Sequence, residues 1–209
     1  MKDIVIVGAG GFSKEVAFLI EDINKANLEW NLLGYVDEEV GSMNGKYTVV
    51  GNDEWLLNYD KPLHVVIGIG STKIISKISE NLKSNTLLKF PNLIHPNVVL
   101  DEEGVKFGEG NIICAGNIFT TDIEIGSFNI INLNCTIGHD SLIGSNNIFN
   151  PNVNVSGGAN IGTDCFFGTS STILQYINIG DNTIIGANGL VIKDLTEPGV
   201  YVGVPVKKK

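Results

Sequence analysis

Between residues 107 and 191 the chain contains one histidine, and an acid follows it: Ile137-Gly138-His139-Asp140. An imidazole beside a carboxylate is a simple general base near neutral pH. The acid accepts one ring N–H and fixes the tautomer, which leaves the other nitrogen free to take a proton. Eighteen residues on stand two glycines, Gly157 and Gly158. A backbone N–H with no side chain in front of it can donate to an oxyanion. These are the parts of a group transfer to an acyl carbon, if the fold brings residue 157 next to residue 139. A lone surface histidine is ordinarily decoration. Here the adjacent acid, the glycine pair and the absence of any other histidine in the segment favour the base. Hydrolytic zinc is excluded by counting, since it needs three protein ligands and this segment offers one histidine. His64 heads an apolar run and His95 precedes a proline, and both are read as structural.

The element that must align those residues is written in the spacing. From Phe107 to Val191 every sixth residue is apolar, fifteen times without an insertion, in a chain only 43% hydrophobic. Many of these positions are followed by glycine, as in Ile125-Gly126 and Ile143-Gly144. A hexapeptide period marks a β-helix in which each repeat is one short strand plus a corner. Fifteen hexads folded as a triangle make about five coils of eighteen residues, stacked roughly 4.8 Å apart. Residues eighteen apart then lie directly above one another. Thr121 falls below His139, and Gly157 above it. With Ile137 pointing inward, His139 lies at a corner and faces an outer groove between prisms.

The N-terminal half follows another pattern. Ile4 to Val7 is a buried-strand run ending in Gly8-Ala9-Gly10-Gly11-Phe12-Ser13, followed by a helical pattern through Ile23. A second strand around Leu32 to Val36 ends at Asp37, and a third from Val65 to Ile69 ends in Gly70-Ser71-Thr72 before another helix. Strand, glycine turn and helix in alternation predict half of a doubly wound, Rossmann-like α/β fold. Ligands in such sheets bind beyond the carboxyl ends of the strands, here at Gly8 to Gly11, Asp37 and Gly68 to Ser71. The glycine turn lacks the third glycine of a dinucleotide fingerprint. Its N–H groups can hold a phosphate, and Asp37 can accept from a ribose or base; tight strand–helix packing and a solvated turn are the plain alternatives. The prolines of Phe90-Pro91-Asn92-Leu93-Ile94-His95-Pro96 place the boundary near here, giving domains 1–92 and 93–209.

Composition narrows the partners. A net charge of −9 argues against nucleic acid, which demands clustered Lys and Arg. Cys114, Cys135 and Cys165 are an odd number without a CxxC and are read as small core residues. The opening apolar run is too short for a signal peptide, no stretch reaches the length of a membrane span, and a cytoplasmic protein is expected.

Taken together, the chain resembles the hexapeptide-repeat sugar acyltransferases. The nearest likeness is to the subgroup of sialic-acid O-acetyltransferases and nucleotide-amino-sugar N-acetyltransferases. The resemblance runs nearly end to end. Its marks are Gly8 to Glu15, Gly34-Tyr35-Val36-Asp37-Glu38, Ile94-His95-Pro96, Ile137 to Asp140, Ile185-Gly186-Ala187, Lys193-Asp194 and Gly203-Val204-Pro205-Val206-Lys207. It implies a left-handed β-helix, a homotrimer with sites between prisms, acetyl-CoA as co-substrate, no metal, and a nucleotide-sugar held by the N-terminal domain. By the same resemblance His139 is the base and Asp140 its orienting acid. Gly157, Gly158, Ala187, Lys193 and Lys207 would contact acetyl-CoA. Gly8, Gly10, Gly11, Phe12, Ser13, Asp37, Glu38 and Gly70 would contact the sugar nucleotide. Phe12 and Ile148 stand where some amino-sugar members carry histidine, and Asp140 where many carry glutamate. The expected reaction is N-acetylation of a UDP- or dTDP-linked 4-amino-4,6-dideoxy sugar. O-acetylation of sialic acid or another sugar, and a catalytically inactive binding β-helix, are the alternatives.

Overall fold

Ile4, Val5, Ile6 and Val7 are at most 2% exposed, as a strand covered on both faces requires. The computed structural model describes residues 1–209 and divides into two units, Met1–Pro96 and Asn97–Lys209. In the first unit the chain runs β1 (Lys2–Val7), α1 (Gly11–Ala26), β2 (Trp30–Val36), β3 (Met43–Asn44), β4 (Tyr47–Gly51), α2 (Asp53–Leu57), β5 (Leu63–Ile67), α3 (Thr72–Leu82) and β6 (Leu88–Lys89). The sheet order is β3-β4-β2-β1-β5-β6. All pairings are parallel except the β3–β4 edge hairpin. The chain leaves β1 toward β2 on one side and returns to β5 on the other. The carboxyl ends at Gly8, Asp37 and Gly68 therefore open at a topological switch point.

Three strands were legible in the sequence, and the sheet has six. The additional strands lie outboard, and one fixes a special glycine. Val5 pairs with Gly34 across a register shift, and a Cβ at Gly34 would collide with the Thr48 carbonyl of β4. Only glycine lets β2 run that close to its neighbour.

The second unit is a parallel β-solenoid. Five strands eighteen residues apart form one sheet, among them Ile118–Phe119, Thr136–Ile137 and Asn154–Val155. A second sheet holds five more, and a third continues beyond the repeat into Gly199–Gly203 and Val206–Lys208. The stack is slightly longer than fifteen hexads imply. Val99 bridges Ile118 at the bottom, and Leu195 bridges Ile179 at the top. The sixfold apolar series is the core: Ile113, Ile131, Phe149, Phe167, Ile173, Ile185 and Val191 are fully buried. Phe149 and Phe167 stack with centroids 4.6 Å apart. Phe107, at the start of the series, is only half-buried and packs edge-on against Phe119.

A second sixfold series marks the corners. From Gly110 to Asn188 every sixth residue has positive φ, between +56° and +76°. Left-handed backbone suits glycine, asparagine and aspartate, which fill eleven of these fourteen positions. Buried asparagines tie successive coils: Asn111 Oδ1 accepts Asn129 N–H, Asn129 Oδ1 accepts Asn147 N–H, and Asn147 Oδ1 accepts Cys165 N–H, at 2.9, 2.9 and 2.7 Å. No helix is long and apolar enough to cross a membrane.

Candidate active site

Registry decides whether the chemistry can assemble, and at His139 it holds. Thr136 pairs with Asn154 and Ile137 with Val155, so residue 157 lies over residue 139. Gly158 N–H donates to the His139 carbonyl at 2.7 Å and Gly138 N–H to the Val155 carbonyl at 2.9 Å. Asp140 occupies a corner with φ of +57°, a conformation aspartate tolerates, and its N–H reaches the Thr121 carbonyl at 3.2 Å. That bend carries its carboxylate back to the imidazole. Nδ1 of His139 stands 2.7 Å from Asp140 Oδ2. A carboxylate can only accept, so Nδ1 carries the proton and Nε2 is left as the acceptor.

Nε2 points at the glycine pair. A Cβ at Gly157 would lie 2.6 Å from it, so no other residue fits there without moving the ring. The Gly157 N–H donates to nothing in the chain, although the Gly157 carbonyl accepts from Tyr176 N–H at 3.1 Å. At another corner the corresponding N–H groups are taken. Ser127 N–H donates to Ser145 Oγ at 3.0 Å, and Thr163 N–H to Asp181 Oδ1 at 2.7 Å. Over Gly157 the next coil brings Gln175, which makes no such bond. A base nitrogen and an uncommitted backbone donor thus adjoin. His139 and Asp140 are more than half exposed, at 54% and 66% of their side chains.

Below this point the surroundings are acidic. Asp140 lines a cavity of about 310 Å³ with Glu103, Asp122, Glu124 and Lys106. Asp101 receives the Thr121 hydroxyl at 2.7 Å, and that bond with backbone donors from Gly104 and Glu103 holds its carboxyl below the usual range.

Other expected site residues separate into groups. Lys193 and Lys207 line one cavity of about 340 Å³ with Thr196, Tyr201 and Lys208. There the ladder slips, because Ile179 pairs with Leu195, sixteen residues on rather than eighteen. Ala187 is exposed but lies on a different vertical edge from His139 and Gly157, and the single chain does not bring it to them. Burial lifts the Cys135 and Cys165 thiols to about 11, so neither is a nucleophile near neutral pH.

In the first unit, Gly10, Gly11 and Gly70 have open space where a side chain would stand. Gly8 is buried with φ of +97°, and a Cβ there would press Ile69 at 2.7 Å. Asp37 accepts Ala9 N–H at 2.7 Å through one oxygen and Glu38 N–H at 2.7 Å through the other. It therefore shapes the glycine loop and keeps further lone pairs for a ligand. Glu38 is exposed and Phe12 half-buried. The Ser13 side chain is fully buried and donates its hydroxyl to the Gly68 carbonyl at 2.9 Å. A buried hydroxyl must be satisfied internally, so this bond locks α1 to the end of β5 and leaves only the Ser13 backbone for a ligand. Tyr176, whose ring lies over Gly158, was not singled out in the sequence.

The comparisons with known proteins agree with this architecture. The PglD N-terminal domain family matches residues 3–82. Perosamine N-acetyltransferase from Caulobacter crescentus, solved as a mutant with CoA and GDP-perosamine, superposes with a TM-score of 0.91 at 27% identity, covering 100% of this chain and 97% of that one. The acetyltransferase domain of PglB from Neisseria gonorrhoeae FA1090, in complex with acetyl coenzyme A, gives 0.88 at 27% identity over 100% and 99% of the chains. WeeI from Acinetobacter baumannii AYE gives 0.88 at 25% identity over the full length of both. Over its full length the chain is similar in fold to these sugar acetyltransferases. No curated protein matches it in sequence. Both halves of the present chain have counterparts in these structures, since each superposition covers essentially the whole of both chains.

Proposed function

We propose that the protein transfers an acetyl group from acetyl-CoA to the amino group of a nucleotide-linked amino sugar, with His139 as general base. The observation that carries this is the His139 Nε2, on an imidazole oriented by Asp140, lying beside Gly157, whose N–H is uncommitted. The relatives supply the class of reactants. One is a perosamine N-acetyltransferase with CoA and GDP-perosamine, and another holds acetyl coenzyme A.

The step is direct. The neutral amine attacks the thioester carbonyl carbon, a C–N bond forms and the C–S bond breaks. His139 Nε2 takes the proton the amine sheds and returns it to the departing thiolate. Gly157 N–H donates to the carbonyl oxygen as charge develops there. The glycine pair suits a thioester, since any Cβ at Gly157 would occupy the space beside Nε2. Lys193 and Lys207, which line one cavity, are assigned to the phosphates of CoA. The glycine loop at Gly8 to Gly11, held by Asp37, is the site for the nucleotide diphosphate. Ala187 joins the cofactor site only if a second copy provides its edge, so this reading takes the protein as a homotrimer with clefts between prisms. A cytoplasmic location accords with acetyl-CoA as donor.

Acetyl-CoA consumption tests this directly against UDP-, dTDP- and GDP-linked 4-amino-4,6-dideoxy sugars, with the 4-hydroxy sugars and free sialic acid alongside. CoA release confined to amino sugars is expected. No release with any of them, or faster release with sialic acid, overturns the proposal.

A further inference from the structure

Tyr176 is the only aromatic residue on the solenoid edge that carries His139 and Gly157. It sits directly above Gly158, at a corner with φ of +61°, a backbone conformation that strains a bulky L side chain. Phe128 is the other aromatic corner residue, and it behaves in the same way toward the coil below. A Cβ at Gly110 would stand 2.5 Å from the Phe128 ring, and one at Gly158 would be 2.5 Å from Tyr176 Cε1. Phe128 is 4% exposed, so its burial accounts for an aromatic residue at that corner. Tyr176 is 70% exposed, and burial does not account for it.

The two rings on this edge lie against adjacent glycines. The imidazole of His139 lies against Gly157 from the rung below, and the phenol of Tyr176 lies against Gly158 from the rung above. Adjacent Cα atoms are about 3.8 Å apart. The Tyr176 ring therefore covers the residue next to Gly157, whose N–H is the candidate acyl-oxygen donor. One face of the ring rests on backbone, and the remainder is open.

We propose that Tyr176 is a specificity-determining residue that limits the length of the transferred acyl group: acetyl fits beside the ring, and a longer chain meets it. The inference rests on the transferase reading above. It adds the acyl class that the site accepts.

The test compares acetyl-CoA, propionyl-CoA and butyryl-CoA in the wild type, Tyr176→Asn and Tyr176→Phe. Asparagine is the commonest residue at the other corners and removes the ring without adding strain. Phenylalanine keeps the ring. One methylene in a fitted pocket is typically worth roughly 10-fold or more in discrimination. Tyr176→Asn should raise the butyryl-to-acetyl ratio of kcat/KM by at least about 10-fold, while Tyr176→Phe keeps the wild-type preference. Calorimetric Kd values for the same thioesters without acceptor should shift in the same direction, which a general loss of stability would not produce. Unchanged ratios in Tyr176→Asn, with the wild type turning over acetyl-CoA, overturn the inference alone. A wild type that turns over no thioester with any acceptor overturns the transferase reading and this inference with it.

Discussion

His139 and Gly157 are so close across one rung that a methyl group on the glycine would stand 2.6 Å from the imidazole Nε2. Gly157 has no positive φ, so alanine is tolerated by the backbone there and its effect is steric. Gly157→Ala should push the ring from its position and crowd the oxyanion donor. A loss of roughly 10²–10³ in kcat is expected, the range for removing one such donor. The thermal midpoint should change little. Steady-state kinetics beside a melting curve checks both, and full activity in the variant would remove Gly157 from the mechanism.

Asp140 serves the corner and the base together, and asparagine separates the two roles. Five other corners carry asparagine at positive φ, so Asp140→Asn should fold normally. The charge that steadies Nδ1–H is lost, and kcat should fall at least about 10-fold. A buried orienting carboxylate costs nearer 10⁴ when replaced. The smaller effect follows from an Asp140 side chain that is 66% exposed. Steady-state kinetics beside a melting curve checks this, and an unchanged kcat in a folded variant would remove Asp140 from the mechanism.

Asp37 answers to the 2.7 Å bond from Ala9 N–H. Asp37→Ala frees two backbone donors at the mouth of the glycine loop, and each bond to a charged acceptor is worth about 1.5–3 kcal/mol. Thermal stabilisation by nucleoside diphosphates should weaken or vanish, with acetyl-CoA binding in the second unit retained. Equal nucleotide stabilisation in the variant and the wild type would contradict this role.

The thiols give a pH prediction. Cys135 and Cys165 are raised in the fold from 9.0 to about 11 by burial. A raised folded pKa contributes stability that is fully present below 9 and is lost as pH climbs through about 11. The melting temperature should hold to about pH 9 and then fall, and Cys135→Ser/Cys165→Ser should flatten that decline. A thiol reagent at pH 8 should label these two cysteines only after denaturation.

The part of this molecule most legible in its sequence is the part repeated most often. Fifteen apolar positions at one spacing left a single way to bury them, and the same spacing placed Gly157 over His139 before any coordinates were needed. The corner series carried an equally regular signal, but Phe128 and Tyr176 interrupt its asparagines and aspartates, which hid it. Applying the eighteen-residue step to Gly158 leads straight to Tyr176. The bond of the Ser13 hydroxyl was not legible, because a serine after a glycine turn looks the same whether its side chain faces a ligand or a neighbouring carbonyl. Only packing against Gly68 decides between them. The slip at Leu195 left no compositional trace, since a shortened corner needs no special residue. The outboard strands β3, β4 and β6 are short, and their burial depends on neighbours far along the chain.

The hairpin of Gly199–Gly203 and Val206–Lys208 has a bearing on how many molecules can associate end to end. A repeat whose last rung is bare offers the next copy a ready template, and stacked solenoids of that kind grow into filaments. Here the third sheet finishes on a reversed strand carrying Lys207 and Lys208, followed by Lys209. Any copy adding to that edge would need to bring its own rung against lysine ammonium groups. That edge of the third sheet is thereby a poor template for one more parallel strand.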